Sequence, residues 1–152
     1  MAEQDPESLF ILVVDDNPDD LFLIRRDLVA LGHRVAGVST ANEALAHIAR
    51  AYPDVLMTDV GLPGMDGIEL LQTIRMRTDG SWIPSLVFTG SLDEATQMRA
   101  LEAGADAYLC KPASREMLRA QLGVILRLKA MQRPAEARHL ELARYPSMQE
   151  EE

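Results

Sequence analysis

Residues 9–18 read LFILVVDDNP, a run of six apolar residues followed by two aspartates and an Asn-Pro pair. An unbroken apolar run of this length is typical of a strand that is buried on both faces of a parallel sheet. Asn17 and Pro18 are residue types preferred at the N-cap and at the first position of a helix. The stretch therefore predicts a strand that leads directly into a helix, with two carboxylates at the junction.

The alternation of strand and helix continues along the chain. Further strands are predicted over residues 34–38, 55–57, 83–88 and 107–110, and the segments between them carry apolar residues at helical spacing. Five strand–helix units with short connections predict a doubly wound α/β sandwich.

The ends of the predicted helices carry recognisable signals. Gly32 is placed to end the first helix, Ser39 or Thr40 to cap the second, and Ser114 to cap the last. We expect a flexible N-terminus over residues 1–8, one domain over 9–131, and a C-terminal extension over 132–152. In that extension Pro134 is expected to begin a further short helix before a frayed end.

Composition excludes several classes of function. The chain has 152 residues, with 24 acidic against 15 basic side chains and a net charge of −9, which disfavours non-specific DNA binding. No apolar run approaches the roughly 18 residues of a membrane span, and the acidic start lacks the basic region of a secretory signal. The single cysteine, Cys110, excludes an internal disulfide, so a cytoplasmic location is expected.

Polar side chains follow four of the five predicted strands. Asp15 and Asp16 follow the first strand, Asp59 the third, Thr89 the fourth and Lys111 the fifth. Ligands of open parallel sheets bind outside the carboxyl ends of the strands. Each residue alone has an ordinary structural interpretation, but their combination predicts three carboxylates, a hydroxyl and an ammonium at one edge.

These groups suit the acceptance of a phosphoryl group. Clustered carboxylates repel one another, and a hard divalent cation such as Mg²⁺ relieves the repulsion. A carboxylate can act as a nucleophile towards phosphorus, while lysine and threonine can contact phosphoryl oxygens. Asp19 and Asp20, in the first turn of the first helix, are interpreted as residues that favour the helix N-terminus.

Over residues 9–131 the chain resembles the response-regulator receiver domain, and in particular chemotaxis-type regulators. Four motifs carry the resemblance: VVDDN at 13–17, MTDVGLPGMDG at 57–67, FTG at 88–90 and GADAYLCKP at 104–112. The resemblance implies a flavodoxin-like, five-stranded parallel sheet of order 2-1-3-4-5, flanked by five helices and followed here by a helical extension.

The resemblance also implies a role for each site residue. Asp59 is the implied phosphoacceptor, and Mg²⁺, with Mn²⁺ as an alternative, is the implied cofactor. The implied metal ligands are Asp16 directly, Asp15 mainly through water, Asp59, and the backbone carbonyl of Gly61. The remaining implied roles are phosphate binding by Thr89 and Lys111, switching by Thr89 and Tyr108, and a cis peptide bond between Lys111 and Pro112.

The implied activity is signalling rather than enzymatic turnover, apart from the domain's own phosphorylation and dephosphorylation. The donor would be a histidine kinase or a histidine phosphotransfer protein. The output would pass to an unidentified protein, or to a second copy, through the fourth helix, fifth strand and fifth helix or through the C-terminal extension. No direct DNA binding is expected, because 21 residues after position 131 are too few for an output domain.

Three alternatives remain open from the sequence. The chain could be the receiver part of a longer regulator, or a pseudo-receiver that binds partners without taking phosphate. Pseudo-receivers usually lack an acid, the acceptor or the lysine, whereas all are present here. A haloacid-dehalogenase-type phosphatase would need an Asp-x-Asp pattern after the first strand, whereas Asp15 and Asp16 are adjacent.

Overall fold

The computed structural model describes residues 8–77, 82–90 and 93–144, with the backbone alone for 132–144. The expected flexibility of the first residues concerns positions that, except for Ser8, lie outside the described residues. The expected frayed end, at residues 149–152, lies outside them as well.

Five parallel strands form one sheet in the order β2-β1-β3-β4-β5, which confirms the predicted topology. Because β1, β3 and β4 are central, they are buried almost throughout, as their apolar sequences require. The strands are β1 (Phe10–Val14), β2 (Arg34–Val38), β3 (Val55–Thr58), β4 (Ser85–Thr89) and β5 (Ala107–Cys110).

Five helices cover the two faces of the sheet. They are α1 (Pro18–Ala30), α2 (Ala41–Arg50), α3 (Gly67–Arg75), α4 (Glu94–Glu102) and α5 (Arg115–Arg144). Among the described residues, none of these helices combines the length and the apolar character needed to cross a membrane.

The predicted helix signals are present. The side chain of Asn17 accepts hydrogen bonds from two amides in the first turn of α1, and Thr40 caps α2 in the same way. The Ser114 hydroxyl accepts from the amide of Met117 at the start of α5. Gly32 has a φ of 99°, the left-handed conformation that ends a helix after α1.

Side chains of β1 alternate between two hydrophobic layers. Leu12 and Val14 pack with the buried residues of α2, α3 and α4 on one face of the sheet. Ile11 and Val13 pack with those of α1 and α5 on the other. The two layers fix the sheet between the helices, so the carboxyl ends of the strands are held in one row.

Two differences from the predicted boundaries are larger than one residue. Strand β4 begins at Ser85 rather than at residue 83, because Pro84 has no amide hydrogen to donate to a neighbouring strand. The break expected at Pro134 is wrong: α5 continues through it to Arg144. Proline removes one helical hydrogen bond, but the residues on both sides of it, MQR and AEAR, are good helix formers.

Candidate functional site

The register of the parallel strands brings the predicted site residues to one edge of the sheet. Val14 pairs with Thr58, so Asp15 and Asp59 leave neighbouring strands at the same level, and the amide of Asp59 donates to the carbonyl of Val14 at 3.0 Å. At the ends of β4 and β5, the amide of Lys111 donates to the carbonyl of Thr89 at 2.8 Å.

The ammonium of Lys111 is the centre of the charge cluster. Its Nζ lies 2.6 Å from Oδ2 of Asp15, 2.9 Å from Oδ2 of Asp20 and 3.0 Å from Oδ2 of Asp59. It also lies 5.6 Å from the centre of the Phe88 ring. An ammonium has three N–H donors, so these three carboxylates can take all of them. The peptide bond between Lys111 and Pro112 is cis, the form that the resemblance implies.

Burial and hydrogen bonding shift the pKa values of this cluster. Burial alone lowers the pKa of Lys111, but its hydrogen bonds to Asp15, Asp20 and Asp59 outweigh burial and raise that pKa above its ordinary value. Burial raises the pKa of Asp15, and the hydrogen bond from Lys111 offsets this in part. Lys111 therefore stays protonated at neutral pH.

Asp15, Asp16 and Asp59 can together hold a metal ion. Each offers one carboxylate oxygen, and the three oxygens lie within 4.8 Å of one another. Asp15 is buried, while Asp16 is exposed. Carboxylate oxygens are the donors that Mg²⁺ prefers, so the residues present fit a hard divalent cation.

The loop after β3 holds Asp59 in a defined conformation. The amide of Val60 donates to Oδ1 of Asp59 at 2.7 Å, and the hydroxyl of Thr58 donates to the Asp59 carbonyl at 2.8 Å. A Cβ atom at Gly67 would overlap that carbonyl oxygen, so α3 can start this close to Asp59 only with glycine. Gly67 is not among the site residues predicted from the sequence, although it stands in the motif that carries Asp59.

Thr89 and Tyr108 lie on the same side of the sheet. Thr89 is buried at the end of β4, two residues after Val87, so their side chains point to the same face. Tyr108 is half-buried and packs against the cluster that contains Val87. Burial raises the pKa of the Tyr108 hydroxyl. The two residues predicted to switch are therefore near neighbours in the fold.

Asp20 belongs to the site through its contact with Lys111, although only a role at the helix N-terminus is predicted for it from the sequence. It lies on the same row of α1 as the buried residues Ile24 and Leu28, at intervals of four residues. That row faces the sheet, so the spacing was the signal that could have identified Asp20. Asp19, its neighbour, is exposed.

A cleft of about 430 Å³ opens beside the charge cluster. Its wall includes Asp20, Leu23, Phe88, Lys111 and Pro112. Lys111 and Asp20 therefore both line this cleft.

Residues 11–123 match the family model of the response regulator receiver domain. The match covers well over half of the chain, and the chain belongs to this family, a signalling domain of two-component systems. Its fold is accordingly the flavodoxin-like receiver fold that the sequence predicts.

Individual relatives agree with this assignment. The transcriptional regulatory protein KdpE of Mycobacterium tuberculosis is 36% identical over 119 residues, which cover 77% of this chain and 50% of KdpE. The chain thus spans about half the length of that relative. A putative response regulator from Chloroflexus aurantiacus has a solved structure with a TM-score of 0.75 and 32% identity, covering 78% of this chain and 98% of that one.

A third relative carries a metal ion. The receiver domain of the sensor histidine kinase PA1611 from Pseudomonas aeruginosa was solved with a magnesium ion coordinated in its active-site cleft. It has a TM-score of 0.70 and 31% identity to this chain, and the match covers 78% of this chain and 98% of that one.

Proposed function

We propose that this receiver domain accepts a phosphoryl group on Asp59 in the cytoplasm, from a phosphohistidine of a histidine kinase or of a histidine phosphotransfer protein. The observation that carries the proposal is the position of Asp59. Its Oδ2 lies 3.0 Å from the Lys111 ammonium, and its carboxylate also contributes an oxygen to the cluster with Asp15 and Asp16. A nucleophile, a fixed positive charge and a set of metal ligands thus meet at one point.

The transfer exchanges one bond to phosphorus for another. A carboxylate oxygen of Asp59 attacks the phosphorus, and the bond between phosphorus and the imidazole nitrogen breaks. The electron pair leaves with that nitrogen, and Asp59 becomes an acyl phosphate. Lys111 offsets the charge of the transferred oxygens, and the Thr89 hydroxyl donates to one of them. Attack of water on phosphorus later releases phosphate and restores the carboxylate.

Asp15, Asp16, Asp59 and the backbone carbonyl of Gly61 would hold the divalent cation, which we propose is Mg²⁺. When bound, the cation supplies positive charge that offsets the charge of the phosphoryl oxygens. The similar PA1611 receiver domain, with its coordinated magnesium ion, supports this choice.

We further propose that α4, β5 and α5 form the output surface. Thr89 would move towards the phosphoryl oxygens, and Tyr108 would pack further inward behind it. Three apolar side chains on α4 and α5 support a protein partner here, because Met98, Leu101 and Met117 are 53%, 49% and 48% exposed. The partner is a downstream protein or a second copy of the chain.

Mass spectrometry tests the acceptor. Incubation with acetyl phosphate and Mg²⁺ should add one phosphoryl group to the wild-type chain and none to the Asp59→Asn variant. Asp19→Asn is a matched control, because Asp19 is an exposed aspartate at the same edge. It should be labelled like the wild type. Equal labelling of wild type and Asp59→Asn would contradict the proposal.

A further inference from the structure

All three donors of the Lys111 ammonium have carboxylate partners in this structure. Two of the partners, Asp15 and Asp59, belong to the acceptor site described above. The third, Asp20, comes from the first turn of α1 and contacts Lys111 at 2.9 Å. A phosphoryl group on Asp59 brings new oxygens to Lys111, so Lys111 must release an existing partner in order to bind them.

The burial of the partners decides which contact is released. The side chain of Asp15 is 3% exposed, so the loss of Lys111 would leave a buried carboxylate charge without a partner. Asp59 itself carries the phosphoryl group and remains beside Lys111. The side chain of Asp20 is 37% exposed, and water can replace the ammonium there at little cost. Asp20 is therefore the partner that Lys111 gives up most easily.

We propose that Asp20 is a positioning residue that holds Lys111 in the resting state and competes with the phosphoryl group for it. The competition limits how readily Asp59 is occupied, so Asp20 sets the balance between the resting and the occupied site. This inference rests on the proposed function and adds a residue to it that the resemblance does not supply.

The test compares two neighbouring aspartates. Beryllofluoride, which mimics a phosphoryl group on a carboxylate, is titrated at saturating Mg²⁺ into the wild type, Asp20→Asn and Asp19→Asn, and binding is followed by calorimetry. Asp20→Asn should bind about three- to fivefold more tightly, the upper part of the range expected for a partly exposed ion pair. Asp20→Ala, which lacks any acceptor for Lys111, should do the same. Asp19→Asn removes the same charge from the same helix turn without contacting Lys111, and should stay within about twofold of the wild type.

A double-mutant cycle separates positioning from simple charge. In the Lys111→Met background, the Asp20→Asn change should have no further effect beyond that of Asp19→Asn, because the ammonium for which Asp20 competes is gone. In the Lys111-containing protein the gain from Asp20→Asn should shrink as ionic strength rises, which a purely structural role would not produce.

Three results in the variants would overturn the inference alone. Asp20→Asn could bind like Asp19→Asn, it could bind more weakly, or its full effect could persist without Lys111. If the wild type binds beryllofluoride and Asp59→Asn does not, the proposed function stands. The Asp20 and Asp19 variants then test only the role of Asp20. If the wild type does not bind it at all, the proposed function is contradicted and the inference falls with it.

Discussion

Replacement of Lys111 by methionine tests how strongly the resting site depends on one positive charge. Methionine keeps most of the aliphatic length of the side chain and removes the ammonium. Three carboxylates then lose their shared partner, among them Asp15, which is almost completely buried. We expect Lys111→Met to fold and to be clearly less stable than the wild type at pH 7.

The distances give the size of the loss. Two unit charges about 3 Å apart attract by about 5 kcal/mol at an effective dielectric of 20, and the desolvation of both ions offsets most of this. Hydrogen bonds to charged groups contribute about 1.5–3 kcal/mol net, and removing one partner of a buried pair costs about 3–5 kcal/mol. Because Asp20 is partly exposed, we expect a loss of about 2–4 kcal/mol in the free energy of unfolding.

The loss should depend on pH. Burial raises the pKa of Asp15 above its ordinary value of 3.8, and the hydrogen bond from Lys111 opposes that rise. Lys111→Met removes the opposing contact, so the pKa of Asp15 should rise further. A group with a raised pKa in the folded state favours folding at low pH, and this contribution is lost as pH rises through that pKa. The deficit of the variant should therefore be smaller at pH 5 than at pH 7.5.

Urea unfolding at both pH values, without divalent cations, measures the deficit. Lys129→Met is the control, since Lys129 is the only other lysine and its Nζ lies 3.9 Å from Asp54 in a partly exposed pair. It should cost less than about 1 kcal/mol. A loss for Lys111→Met no larger than that of the control, or a deficit that does not shrink at pH 5, would refute the reasoning.

Three further changes give separate tests. Without metal, Asp16→Ala should be as stable as the wild type or up to about 1 kcal/mol more stable, because it removes one repelling charge. It should also lose most of the rise in melting temperature that Mg²⁺ gives the wild type, whereas a clear loss of stability without metal would make Asp16 structural. Gly67→Ala should lower the free energy of unfolding by about 2–4 kcal/mol in urea, because its Cβ meets the Asp59 carbonyl. The control Gly61→Ala has open space around its Cβ, so its free energy of unfolding should stay within about 0.5 kcal/mol of the wild type. Thr89→Ala should still be labelled by acetyl phosphate, but it should lose part of the hydrogen-exchange response to beryllofluoride over residues 93–131, because the contact that favours the active state is gone. A full wild-type response would exclude Thr89 as the switch.

The sheet and most of the site could be predicted because they follow from local patterns that burial enforces. The apolar run before Asp15 has to be a central strand, and the residue after such a strand has to lie at the carboxyl edge. Asp20 was missed because its position in a first helical turn has a sufficient local explanation. The spacing of Asp20 from Ile24 and Leu28 indicates that it lies on the buried row of α1, and the packing of α1 on the sheet shows that this row brings it to Lys111.

The predicted break in the last helix was wrong because one local signal was given too much importance. Pro134 is a strong local signal for a helix boundary, and the prediction of a separate short helix depended on it. The structure continues the helix to Arg144, since one missing hydrogen bond is a small part of a 30-residue helix. Local sequence rules thus failed in two ways. At Asp20 a role at the helix N-terminus was a sufficient explanation, so the contact with Lys111 was not predicted. At Pro134 a single residue was taken to decide a helix boundary.

The charge balance of the site links its stability to its proposed chemistry. Asp15, Asp16, Asp20 and Asp59 share one edge with a single ammonium, so the resting site already carries excess negative charge. A phosphoryl group adds more, and Lys111 cannot offset it while all its donors are taken. Acceptance therefore needs added positive charge, which a divalent cation supplies, and a donor freed from a carboxylate. Asp20 is the partner whose release leaves no buried charge behind, so the same ion pair that stabilises the resting site also opposes its occupation.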